Sequence, residues 1–301
     1  MAGALGLRIV TWPQLAERGD RVSVVGLIRL VRPYYAVPMS LAYTLTVFYA
    51  SGGGVGGRWP ELWISTLSLM LMIAACYAFN EICDLDVDRS RPGRHSVATG
   101  LVSVRLGWGV TIILVIGSLG LALVVKGWAF LAGMVVIGLG LGAYDLFSKH
   151  IGLAKQLLAA ALMTSIYPLA FVFSGWPAGP RAGSLMVFPV WLFITSAGYE
   201  LLKDVRDRHS DPPIENWTMA IRHRPMFYRW VAGGLIAGAS PLLLVCGMLG
   251  CKWVYSLGAL AAIGLAIASV LSPVRQAIRL AYAECFMVVV AAATDVMVLG
   301  I

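Results

Sequence analysis

Charge is scarce in this sequence. Only 13% of its 301 residues are Asp, Glu, Lys or Arg, and the mean hydropathy is +0.81. That excludes an ordinary water-soluble domain, in which about a quarter of residues are charged. Acids are rarer than bases, fifteen against 23. The five cysteines (Cys76, Cys83, Cys246, Cys251, Cys285) are odd in number and scattered through apolar stretches. They form neither a disulfide framework nor a zinc spacing and are expected as packing residues. The N-terminal "MAGALGLRIVTWPQLAERGDR" lacks the ordered charged start, apolar middle and small-residue cleavage site of a signal peptide.

What the chain has instead is long apolar runs. Nine windows, approximately 34–53, 60–82, 104–125, 127–145, 153–174, 183–202, 228–250, 252–272 and 280–299, are long enough to cross a bilayer as helices. An open sheet would leave backbone groups unpaired in lipid. The expected fold is an all-α membrane bundle of nine transmembrane helices with a polar cap on the cytoplasmic side. It is expected as a single domain over residues 1–301, whose halves 22–150 and 151–301 each carry one acidic motif.

The basic residues orient it. The N-terminus and the connections after the even-numbered windows hold nineteen of the 23 Lys and Arg; Arg58, Lys126, Arg181 and Lys252 are the four on the other side. The N-terminus and the long loops are therefore expected in the cytoplasm. Basic loops beside anionic headgroups account for the net charge of +8, so no nucleic-acid partner is needed. Residues 22–31, "RVSVVGLIRL", suit a short helix lying on the cytoplasmic surface.

Eight of the fifteen acids fall in two clusters: Glu81, Asp84, Asp86 and Asp88, then Glu200, Asp204, Asp207 and Asp211. Glu81, Asp84 and Asp88 share their spacing with Asp204, Asp207 and Asp211, at a constant offset of 123 residues. Steps of three and four place each set on one helix face. Asn80 and Glu200 extend the two faces, and Asp86 points elsewhere. Each cluster ends an even-numbered window at its cytoplasmic end. Like charges so placed need cations, and carboxylate oxygens favour Mg²⁺ or Ca²⁺; two facing stripes suit more than one ion. Mg²⁺ tends to bind through a few carboxylates plus substrate phosphates, so a phosphate-bearing substrate is the natural partner. Nearby cations, Arg89, Arg91, Arg94, Lys149, Lys155, Arg206, Arg208 and His209, suit a leaving group that gains negative charge.

These residues resemble the UbiA superfamily of intramembrane prenyltransferases. "LVRP" (Leu30 to Pro33), "NEICDLDVD", the Arg-rich loop ending at Gly100, "YDLFSK" and "ELLKDVRDRHSD" are similar to the family's successive motifs. Glu81 stands where the first motif has Asp, Ser210 where the second has Gly, and Lys149 falls five residues after Tyr144 rather than four. The resemblance implies an isoprenyl diphosphate donor held by two Mg²⁺ ions on Asp84, Asp88, Asp207 and Asp211. Glu81 and Asp204 would be further ligands and Asn80 a hydrogen-bonding partner. Arg94 (or Arg91), Lys149, Lys203 and Arg208 would bind the diphosphate. Tyr144 would steady the allylic cation or position a lipid-soluble, for instance aromatic, acceptor. The implied setting is a bacterial or archaeal plasma membrane with the active site facing the cytoplasm, and loops after the second and sixth spans closing over it to exclude water.

Other readings share parts of this pattern. A membrane terpene cyclase would ionise the donor without an acceptor, and a polyprenyl-phosphate glycosyl or phosphoribosyl transferase would reverse the roles. A divalent-cation transporter fits poorly, because transport sites lie near the midplane and both stripes lie at span ends. Within the spans, Asp295 is a candidate for a role or for reaching the outer interface. Glu284 is expected to snorkel or pair with Arg279. Trp191 and Tyr199 are candidate tunnel residues, and Gly120, Gly133, Gly138, Gly140 and Gly142 suit close helix packing.

Overall fold

The computed structural model describes residues 23–52, 54–89, 95–125, 127–148, 151–177, 179–208 and 221–299. Among them there is no strand. The helices are α1 (Val24–Val31), α2 (Pro33–Ala50), α3 (Trp59–Cys83), α4 (Leu85–Arg89), α5 (Val104–Val124), α6 (Trp128–Phe147), α7 (Ala154–Thr164), α8 (Ile166–Ser174), α9 (Ala182–Asp207), α10 (Pro225–Ala239), α11 (Leu242–Met248), α12 (Trp253–Leu271) and α13 (Val274–Leu299).

Local chemistry sets their limits. Ser23 and Ser103 accept from the backbone N–H groups of Gly26 and Leu106 and so cap α1 and α5. Prolines open α2 and α10, where the missing N–H costs nothing. Pro168 lies just beyond the break between α7 and α8, and Pro241 lies in the break between α10 and α11, so each pair forms one bent span.

Eight helical units are long and apolar enough to cross a membrane. The first window forms an 18-residue helix, α2, that does not meet that test. Four tyrosines and two prolines dilute its apolar character, and many of these side chains face inward. The polar cap expected over the bundle falls largely on residues 90–94 and 209–220, outside the described residues.

Six units form an inner ring: α2 packs on α3, α3 on α6, α6 on α7 and α8, α7 on α9, α9 on α13, and α13 returns to α2. Outside it, α5 covers α3, while α10, α11 and α12 cover α9 and α13. Close approach relies on small residues. A Cβ at Gly198 would lie 2.8 Å from the Ala232 carbonyl, and one at Gly258 would strike Ala291. Gly133, Gly138 and Gly140 are similarly crowded by Leu169, Met72 and Leu162, whereas Gly120 and Gly142 face open space.

The intramembrane acids of α13 are both fully buried. Asp295 accepts from Arg181 at 3.0 Å and from the backbone N–H groups of Lys252 and Tyr255 at 3.1 Å. Its carboxylate is enclosed by protein and ties α9, α12 and α13 together. Glu284 neither snorkels nor pairs with Arg279, but turns inward and accepts from the Trp191 indole at 3.1 Å.

Candidate active site

The inner ring encloses a cavity of about 1580 Å³. Its character changes along its length. At one end the C-termini of α3, α6 and α9 deliver Asn80, Asp84, Tyr144, Asp145, Glu200, Lys203, Asp204 and Asp207, joined by Asp88 of α4 and Arg208. Beyond these the walls are apolar, from Met39, Leu45, Leu69, Ile73, Ile137, Ile166, Leu185 and Phe188. Both acidic stripes thus open into one cavity, at the same end.

Helix α3 gives way to α4 at Asp84 (φ −94°, ψ 5°), yet Glu81 and Asp88 both approach the His95 ring, at 4.0 and 3.0 Å. Asp84 and Asp88 line the cavity, while Glu81 is buried away from it. One Glu81 oxygen accepts from the backbone N–H groups of Ser96 (2.7 Å) and Val97 (3.2 Å), and the other from Arg32 at 3.4 Å. Glu81 therefore anchors the loop that follows the stripe. Asp204, its counterpart at the offset of 123, is likewise engaged, by Lys155 at 2.7 Å and by the Gln156 amide. Asp86 is exposed beside Arg89, as the spacing implies.

The other acids have graded partners. Asp88 meets His95 at 3.0 Å. Glu200 is bridged by Lys203 at 2.8 and 2.9 Å and approached by the Tyr144 hydroxyl at 3.4 Å. Asp207 receives both arms of the neighbouring Arg206 guanidinium, at 2.8 and 2.7 Å. Asn80 donates to Asp84 at 3.3 Å and to Asp145 at 3.0 Å. With its amide nitrogen shared between two carboxylates, the orientation of the Asn80 carbonyl is fixed, since the reversed amide would set oxygen against oxygen.

Asp145 escaped the sequence reading. It is buried, lines the cavity, and accepts from Cys76 at 3.3 Å as well as from Asn80. The signal was an acid inside the end of a span, within "YDLFSK". Arg32 was also missed as an individual residue. It joins α1 to α2 in the left-handed region (φ 45°, ψ 61°), the only described non-glycine residue with positive φ. From there its guanidinium reaches Glu81, His95 and the face of Tyr77. A strained backbone holding a side chain at a polar cavity is typical of functional sites.

Arg91, Arg94, Lys149, His209 and Asp211 lie outside the described residues. Lys203 and Arg208 line the cavity; Lys203 also lies over the Tyr199 ring. Among the described residues no three His, Cys, Asp or Glu side chains form a ready-made metal cage. Between α2 and α13 the wall opens sideways, where Leu41 and Phe286 line the cavity yet are about half exposed.

Comparison with known proteins supplies the remaining findings. Residues 40–290 match the UbiA prenyltransferase family. The chain is 30% identical over 222 residues to a 4-hydroxybenzoate octaprenyltransferase of Paracidovorax citrulli, covering 70% of each chain. It is 24% identical over 210 residues to a digeranylgeranylglyceryl phosphate synthase of Sulfolobus acidocaldarius, covering 67% of this chain and 72% of the other. Among solved structures, a UbiA homologue from Aeropyrum pernix K1 aligns with a TM-score of 0.70 at 15% identity, over 90% of this chain and 99% of that one. A homologue from Archaeoglobus fulgidus bound to GPP and Mg²⁺ aligns with a TM-score of 0.63 at 17% identity, over 91% and 100%.

Proposed function

Because the chain belongs to the UbiA prenyltransferase family, we propose that it moves a prenyl group from an isoprenyl diphosphate to an aromatic or other lipid-soluble acceptor inside the membrane. One observation carries this reading: two acidic stripes line the polar end of a single cavity whose remainder is apolar. A diphosphate with a hydrocarbon tail has that same division.

The donor set fits Mg²⁺. Asp84, Asp88 and Asp207 offer hard oxygens, Asp211 follows four residues after Asp207 in the sequence, and the fixed Asn80 carbonyl adds a neutral oxygen. Two ions, one per stripe, match the two sets of carboxylates. Glu81 and Asp204 are better read as anchors than as ligands, since each is buried and held by donors from another element, whereas the partner of Asp207 is its own exposed neighbour Arg206, which can swing away.

When bound, Mg²⁺ would draw charge from the diphosphate and ease its departure. Lys203 and Arg208, with Arg94 or Arg91 and Lys149, would add positive charge around the leaving oxygens as the allylic carbon–oxygen bond breaks and the diphosphate keeps the electron pair. Tyr144 and Tyr199 stand at the level of Glu200, where their ring faces would steady the cation. The acceptor would approach through the side opening, bond to the allylic carbon and give up a proton. A cap from the loops after α4 and α9 would keep water off the cation, on the cytoplasmic side that the basic loops indicate.

The test uses purified protein in detergent or liposomes with Mg²⁺, an isoprenyl diphosphate and a phenolic or other lipid-soluble acceptor. Diphosphate release that requires the acceptor and is abolished by Asp84→Asn or Asp207→Asn in folded protein is expected. Full activity in either variant, or a hydrocarbon product without acceptor, would refute the reading.

A further inference from the structure

The threonines of the described helices follow one habit, with a single exception. Thr44, Thr46, Thr66, Thr111, Thr164 and Thr294 each donate the side-chain hydroxyl to the carbonyl four residues earlier, at 2.8–3.0 Å. That bond satisfies a hydroxyl inside an apolar bundle without help from any other element. Thr195 of α9 does not make it. Its hydroxyl is fully buried, has no partner among the described residues, and belongs to a residue that lines the cavity.

A second unmet atom lies at the same depth. Glu284 of α13 accepts from the Trp191 indole on one oxygen, and its other oxygen is buried with no partner among the described residues. Thr195 precedes Glu200 by five residues on α9, and Glu284 follows Arg279 by five on α13. Glu200 and Arg279 both stand at the polar end of the cavity, so the two sit about 7–8 Å inside it at about 1.5 Å per helical residue. Helix α9 packs directly on α13. Glu284 is fully buried beside Cys285 and Phe286 of the wall, and the Trp191 ring that it holds lines the cavity one turn deeper than Thr195.

Native interiors leave few polar groups unmet, and each such group asks for a partner. The surroundings say what kind. Toward the carboxylates the wall is aromatic: Tyr35 stacks on Tyr77 with centroids 5.4 Å apart and meets Tyr282 edge-on at 6.2 Å. Rings so arranged suit a further flat ring. The Lys and Arg residues that line the cavity all belong to its polar end, and none to the level of Thr195. An anion at that level would be buried with no cation beside it and with the Glu284 carboxyl close by, which is unfavourable.

We propose that Thr195 binds an uncharged hydroxyl or carbonyl on the inner side of an aromatic acceptor, and that Glu284 is a positioning residue that fixes the Trp191 ring beneath it. Thr195 is thus a specificity-determining residue. It selects aromatic acceptors with a neutral polar group at that end and disfavours those with a carboxylate there. The inference rests on the prenyl-transfer reading above and names the acceptor class for the same site.

The experiment measures diphosphate release from geranylgeranyl diphosphate in Mg²⁺ with three phenols that differ only in the para substituent, hydroxymethyl, ethyl or carboxylate, and with a glycerol-based lipid alcohol. The wild type is expected to use the hydroxymethyl phenol roughly tenfold or more better, by kcat/KM, than the other two phenols. Thr195→Val keeps the shape and removes the hydroxyl; it should raise the KM for the hydroxymethyl phenol about tenfold and leave the donor KM unchanged. Thr195→Ser keeps the hydroxyl and should keep the wild-type preference. Glu284→Gln still accepts from the indole and should behave as wild type, whereas Glu284→Leu frees the Trp191 ring and should raise the acceptor KM alone. Equal use of the hydroxymethyl and ethyl phenols by the wild type, better use of the carboxylate, or an unchanged acceptor KM in Thr195→Val would overturn the proposal. Release with the lipid alcohol and with none of the phenols would also overturn it while leaving prenyl transfer standing. No release with any acceptor would instead overturn the prenyl-transfer reading beneath it.

Discussion

At the scale of single residues, Asn80 is the joint of the site. Its amide nitrogen serves Asp84 and Asp145 at once, so the two acids hold one another's orientation through a neutral group. Second-layer partners of this kind typically change metal affinity ten- to a hundredfold when removed. Asp145→Leu is accordingly expected to raise the Mg²⁺ concentration for half-maximal diphosphate release by about tenfold or more. Mn²⁺ binding, followed by electron paramagnetic resonance without donor, should weaken in parallel. Unchanged Mn²⁺ affinity with an unchanged Mg²⁺ requirement would remove Asp145 from the site. The carboxylates at 84, 88 and 207 were legible in the sequence because a repeated spacing at equivalent span ends is improbable without a purpose. Asp145 was not, because a lone acid carries no spacing; only the approach of α3 shows what it holds. Glu81 was legible as a member of a stripe but not in its task, which depends on where residues 96 and 97 fold back.

At the scale of elements, the spans were readable because length and apolarity are local properties, and the eight that meet both tests coincide with eight of the nine windows. The character of α2 was harder to read. Its tyrosines and prolines make sense only once the helix is seen to line a cavity rather than to face lipid alone. The inward turn of Glu284 onto Trp191 was equally hidden, since its direction depends on how α13 rotates against α9. The buried Arg181–Asp295 pair binds three helices behind the cavity's floor. Removing one partner of such a pair typically costs about 3–5 kcal/mol, because the other charge stays buried without it. Asp295→Leu should therefore lower the thermal midpoint in detergent sharply, and the double variant Arg181→Met/Asp295→Leu should recover the part due to the stranded Arg181 charge, while the part due to the lost acceptor for the Lys252 and Tyr255 N–H groups remains. A midpoint unchanged by Asp295→Leu would mean that the pair does not hold these elements together.

At the scale of the whole molecule, one cavity is polar at one end and apolar beyond it. On the proposed function the polar end would hold the diphosphate, the apolar depth its tail, and a lipid-soluble acceptor would enter between α2 and α13 without crossing water. On the proposed function the two acidic stripes, 123 residues apart in the chain, act on one ligand. Titration of geranylgeranyl diphosphate into the protein by calorimetry, in Mg²⁺ and without acceptor, tests that most directly, using wild type, Asp84→Asn, Asp207→Asn and the double variant. The account expects binding that is lost in EDTA, that weakens with either single substitution, and whose two losses are not additive, as for groups sharing one partner. Undiminished affinity in either single variant, or binding indifferent to EDTA, would contradict it.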